Sequence, residues 1–213
     1  METIKVKLTF TEPVLGTAPA NPDIYRDFIG SKAPDAATVE DEVEALGVDS
    51  VVEKGMTVFP KLEDGTPFAW DYQIKGFFKG ACGFLRKADD TLSSKVKSYK
   101  KEIDGLIFPS PRKIPYENVK EITTCQRPLR AQTAQGERVS LAISEQIPAG
   151  ASLTFEVICL AKADLALVRE WLDFGRYSGL SQWRNAGMGR MVWDELDDEG
   201  NVIGGNNLYQ KAK

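Results

Sequence analysis

The chain predicts an α+β fold, and three observations carry that reading. A strictly alternating stretch stands near the start, an amphipathic helix late in the chain, and a glycine-punctuated loop joins that helix to a closing strand. With 213 residues and 42% apolar composition, the chain is long enough to bury a substantial core. A single domain over 1–213 is expected. No run approaches the ~18 apolar residues of a membrane span, and the start Met1-Glu-Thr-Ile-Lys lacks the basic and apolar plan of a signal peptide. A cytoplasmic protein without membrane contact follows.

Ile4 to Phe10 alternates apolar and polar residues and reads as a half-buried strand, stopped by Pro13 and Gly16. From 21 to 54 the chain is acidic and alanine-rich, and reads as an insertion with short capped helices at Asp23 to Ile29 and Thr38 to Leu46. Thr57 to Phe59 reads as a strand, and Tyr72 to Arg86 as a helix. Its Gly76, Gly80 and Gly83 each cost about 1 kcal/mol in a plain helix, so close approach of another backbone is expected there. Glu102 to Phe108 and Lys113 to Tyr116 read as extended segments inside a basic insertion spanning 88–135. Val139 to Ile143, the Ile147-Pro-Ala-Gly150 turn and Ser152 to Leu160 read as a hairpin.

Ala163 to Phe174 is the clearest helix, with Leu165, Val168 and Leu172 at helical spacing. The loop Gly179 to Arg190 and the strand 190–196 close the fold, leaving 197–213 as a turn and tail. The order helix, glycine loop, strand is the ending of a ferredoxin-like, or RRM-like, β-α-β-β-α-β unit. Residues 4–20 and 55–196 make up that core.

Chemistry is bounded by what the chain lacks. Without histidine it cannot build a Ser-His-Asp or Cys-His nucleophilic site or a His-containing metal site. Cys82, Cys125 and Cys159 are odd in number and widely spaced, and are expected to be reduced and at least partly buried. No cofactor or metal is expected.

The net charge of −4 conceals a division along the chain. Residues 1–74 carry a net −8 and residues 131–213 a net −3, whereas 75–130 hold 13 Lys/Arg against 6 Asp/Glu, a net +7. Such an island suits an anion if its residues share a face with the glycine loop. In that loop Gly187 and Gly189 open unusual backbone angles, and Arg184 and Arg190 supply guanidinium forks. Lys75 and Lys79 are expected beside the free amides of a helix start. Arg86, Arg127 and Arg130 complete the candidate nucleic-acid contacts, with Arg127 and Arg130 either clamping phosphates or pairing with carboxylates. Trp183 is expected to anchor the core.

Four segments stand in the order found in one family. They are the strand Ile4 to Gly16, the helix start Gln73-Ile-Lys-Gly-Phe-Phe-Lys-Gly80, the stretch Arg130 to Thr133 before Glu145-Gln-Ile-Pro-Ala-Gly150, and the loop Arg184 to Arg190 before a strand. On these the chain resembles the repeat-associated RNA-binding superfamily of CRISPR effector subunits, specifically its Cas7-like backbone members. It departs from the family at Lys75, Phe77 and Phe78, and the arginine expected after Gly80 appears only at Arg86.

The resemblance implies a non-enzymatic protein that binds RNA or another single strand and self-associates or joins CRISPR-type effector subunits. An acidic N-terminal third also suits a protein-interaction module that mimics an effector subunit, such as a phage-borne anti-defence protein. A third reading follows family members that cut RNA. There a metal-assisted endoribonuclease would use an acidic residue of the insertion, with Asp23, Asp27 and Asp35 as candidates.

Overall fold

The computed structural model describes residues 1–20, 56–133, 136–161 and 164–207, of which 129–133 and 136–140 are described by their backbone alone. The acidic stretch 21–54, and with it Asp23, Asp27 and Asp35, lies outside the described residues. The strands are β1 Glu2–Phe10, β2 Val14–Leu15, β3 Ala18–Pro19, β4 Met56–Val58, β5 Phe68–Trp70 and β6 Ile107–Ser110. They continue as β7 Lys113–Glu117, β8 Thr123–Thr133, β9 Gly136–Ile147, β10 Ser152–Cys159, β11 Met191–Leu196 and β12 Val202–Gly205. The described α-helices are α1 Asp71–Leu85, α2 Tyr99–Leu106 and α3 Asp164–Asp173.

The main sheet runs β12-β11-β1-β10-β7-β5, with β6 also pairing β10. β1 lies antiparallel between β10 and β11. Taken with α1 after β1 and α3 after β10, this is the strand order of a ferredoxin-like unit. Alternation along β1 sends Ile4, Val6, Leu8 and Phe10 to one buried face. Ile74, Phe77 and Phe78 of α1 and Val168, Trp171 and Leu172 of α3 cover that face, and the Phe78 and Trp171 rings lie 5.5 Å apart. Each such side chain contributes about 1.5–3 kcal/mol on burial. A second sheet of β2, β9, β4, β3 and β8 stands beside the first. No described helix is long and apolar enough to cross a membrane.

Four local expectations change. Glu102 to Leu106 is helical, because Tyr99, Ile103 and Leu106 recur at helical spacing and turn Ile103 into the core. The hairpin is β8 with β9, paired from Thr123–Gln146 to Thr133–Gly136, and not β9 with β10. At Pro148–Gly150 the chain instead crosses between sheets, where Gly150 adopts a φ of 96° and its N–H donates to the Phe10 carbonyl at 2.8 Å. Within the segment read as a basic insertion, β6 and β7 pair with β10 in the main sheet.

The last change concerns the tail, in which β12 pairs with β11. Asn206 secures it, accepting from the Trp193 N–H at 3.0 Å and donating to Asp173 at 3.0 Å. The three cysteines are free thiols, with Cys82 and Cys159 buried and Cys125 half-buried.

Candidate nucleic-acid interface

The central element is α1. Its apolar residues Ile74, Phe77, Phe78, Ala81 and Cys82 face the core, which leaves Tyr72, Gly76, Lys79 and Gly83 on the opposite face. Gln73 fixes the first turn, accepting from the Trp70 N–H at 2.9 Å and donating to Thr17 at 2.9 Å. Because the helix begins at Asp71, Lys75 and Lys79 stand in its second and third turns and not at free N-terminal amides. Asp71 occupies that end itself, accepting from the Tyr72 N–H at 2.8 Å and pairing with Arg112 at 3.4 Å.

Both lysines flank the glycine face. The Lys75 ammonium donates to the Asp104 carbonyl at 3.2 Å and lies 4.2 Å from the Phe108 ring centre. Desolvation draws its pKa below the usual lysine value, against the opposing pull of the Asp104 carboxylate. Lys79 pairs with that carboxylate at 2.6 Å. Arg86 lies further along, 5.2 Å over the Tyr99 ring.

What approaches the helix glycines is side chain and not backbone. A Cβ at Gly83 would meet the Tyr99 hydroxyl at 3.2 Å, and one at Gly80 would meet an Arg184 nitrogen at 3.6 Å. A Cβ at Gly76 would meet nothing within 4 Å among the described residues. The fold therefore gives no reason for a glycine there, although an exposed helix interior favours alanine by about 1 kcal/mol.

The Gly179 to Arg190 loop explains its own glycines. A Cβ on Gly179 would lie 2.1 Å from the Met188 carbonyl oxygen, and one on Gly189 would lie 2.1 Å from that of Leu180. The two strands of the loop cross there backbone to backbone, sealed by Leu180 N–H donating to the Gly189 carbonyl at 3.0 Å. Gly187, at φ 88°, closes a 3₁₀ turn over Arg184–Ala186. Gly187 and Gly189 are buried, so the fold uses them and a ligand cannot reach them. Arg190 folds over Gly187, with 3.4 Å from its Nε to the position of a Cβ. Arg184 is exposed beside Gly80, across α1 from Lys75 and Lys79.

Arg127 is buried and Trp183 exposed, the reverse of what was expected of each. Arg127 is 6% exposed and donates to Ser144 at 3.3 Å and Gln182 at 2.9 Å, pinning the loop to β9. Among the described residues it meets no carboxylate, and its burial withdraws it from the phosphate contacts expected of it. Trp183 is 40% exposed, with its ring 5.1 Å from the Arg127 guanidinium and its backbone held at φ 55°. Ser181, also at positive φ, donates to the Leu15 carbonyl, and Gln182 donates to that of Gly16 at 2.7 Å. These bonds fix the exposed tryptophan in place. Arg130 lies in β8 opposite Val139, and its side chain is outside the described residues.

Charge counting missed an aromatic and basic group beside the helix start. Trp70 and Tyr72 lie nearly parallel with centroids 6.0 Å apart, and Tyr72 is 54% exposed. Arg112 stands 5.5 Å and Lys113 5.8 Å from the Trp70 ring. The alternation of Phe68, Trp70 and Tyr72 was a legible signal. Trp70 and Tyr72 with Arg112 thus stand at the start of α1, Lys75 and Lys79 edge its glycine face on one side, and Arg184, next in the chain to the exposed Trp183, edges it on the other.

No family model matches the chain, and no curated protein matches it. Among solved structures the fold is similar to a chain in the cryo-EM structure of the Type III-B Cmr-beta bound to cognate target RNA. The TM-score is 0.50 at 8% identity, covering 92% of this chain and 58% of that one. The likeness is one of fold. It supports the α+β, ferredoxin-like architecture, in a chain that spans little more than half the length of its neighbour.

Proposed function

We propose that the protein binds single-stranded RNA, without cutting it, along the solvent face of α1, as one subunit of an assembly of the CRISPR effector kind. The carrying observation is Gly76, a helix-interior glycine with nothing within 4 Å of a Cβ among the described residues, on a face edged by Lys75, Lys79 and Arg184. A phosphate backbone can approach such a face more closely than any other part of the helix surface. Tyr72 and Trp183 offer rings on which unpaired bases stack. The fold likeness to a chain solved with target RNA supports the same reading.

Binding carried by Lys75, Lys79, Arg112 and Arg184 releases counterions. With about four phosphate contacts, affinity falls about 50-fold between roughly 50 and 200 mM salt. Titration of labelled single-stranded RNA at several salt concentrations tests this. Absence of binding at low salt, or an affinity indifferent to salt, overturns it.

A further inference from the structure

The face of the main sheet turned away from α1 and α3 holds a cavity of about 520 Å³, lined by Lys7, Thr154, Ser152 and Asp194 among others. Strand alternation places these side chains there, since the neighbouring Leu8, Leu153 and Trp193 point into the core. Asp194 is only 4% exposed. One of its carboxylate oxygens accepts from the Asn207 amide at 2.7 Å, while the other, Oδ1, is buried without a hydrogen-bond partner among the described residues. A buried carboxylate oxygen without a donor is costly, and a ligand that donates to it recovers that cost.

The neighbours narrow the ligand. Lys7 stands directly across from Asp194 in the β1–β11 register and across from Thr154 in the β1–β10 register. Opposite side chains start about 5 Å apart, so a metal ion or ammonium group seated on Asp194 meets the like charge of Lys7. A neutral edge with N–H donors beside a carbonyl oxygen satisfies both residues. Leu196 and Val202 add aliphatic wall, and Asn118, held at φ 57°, donates to Ser152 at 3.1 Å at the rim. The volume suits a nucleotide and greatly exceeds a bare amide.

We propose that this cavity binds a guanine base, with N1–H and the N2 amino group donating to Asp194 and O6 accepting from Lys7. The site lies on the opposite face of the sheet from α1 and does not depend on its glycine face.

Calorimetric titration of the full chain with GMP and AMP tests the assignment. Saturable GMP binding is expected, with AMP weaker by about tenfold or more. Asp194→Asn is expected to lower GMP affinity by a similar factor. Because Asp194 is buried, Lys7→Met on the half-exposed strand face provides the second variant, with affinity for GMP lowered and the GMP-over-AMP preference reduced. Arg184→Ala, at the edge of the α1 face, leaves GMP binding unchanged, which separates failure here from failure of the RNA reading. Equal binding of GMP and AMP, no binding of either, or a wild-type response in Lys7→Met overturns the proposal.

Discussion

The loop from Gly179 to Arg190 and the solvent face of α1 each carry three glycines, yet the two sets answer to different demands. In the loop, Gly179 and Gly189 stand where a Cβ would sit 2.1 Å from a backbone oxygen, so the fold itself forbids a side chain. On α1 the pressure relaxes from Gly83 to Gly80 and, among the described residues, vanishes at Gly76. Glycine richness therefore marks backbone crossing in one region and an open surface in the other. The more familiar signal, the glycine-rich loop, is the one whose glycines are withdrawn from contact.

The largest expected effect breaks the loop side. Gly189→Ala places a Cβ against the Leu180 carbonyl at a φ of 69°, and is expected to cost about 3 kcal/mol or more in urea unfolding. A near-neutral result removes the claim that the loop glycines serve the fold. On α1, Gly76→Leu fills open space, and RNA affinity is expected to fall about tenfold, or about 1.4 kcal/mol, with the fold intact by circular dichroism. Gly76→Ala sharpens the contrast, since an exposed helix interior gains about 1 kcal/mol in stability from alanine. Loss of stability there shows that the fold needs this glycine after all.

Smaller still is Arg184→Ala, which is expected to lower the slope of log affinity against log salt by about 0.7 with little change in stability. Arg127→Ala reverses that profile. It leaves the slope unchanged while costing stability, because Ser144 and Gln182 lose a buried donor. At mild pH a thiol reagent is expected to modify Cys125 first. Cys159 stays inert, since burial raises its pKa to about 11 and little thiolate forms.

Elements defined by local periodicity were readable in the chain. β1, α1 and α3 carry their patterns in consecutive residues, and the helix–loop–strand ending placed the ferredoxin-like order correctly. Pairing was not readable, because Val139 to Ile143 and Ser152 to Leu160 look equally strand-like and only the three-dimensional crossing at Gly150 assigns them to different sheets. β12 hid behind two apolar residues followed by glycines.

The candidate site divided along the same line. Lys75, Lys79 and Arg184 meet around one helix face, whereas no count of charge reveals that Arg127 is buried against Gln182, 55 residues away in sequence. Bulk argues for burial of Trp183, whereas the loop bonds made by Ser181 and Gln182 hold it outward.

Photo-cross-linking of single-stranded RNA carrying 4-thiouridine, read out by peptide mass spectrometry, tests the central claim most directly. Adducts are expected within residues 70–84 and 181–186, on the α1 face and the exposed part of the loop. Adducts confined to other segments, with the α1 peptide unmodified under conditions where RNA is bound, contradict the account.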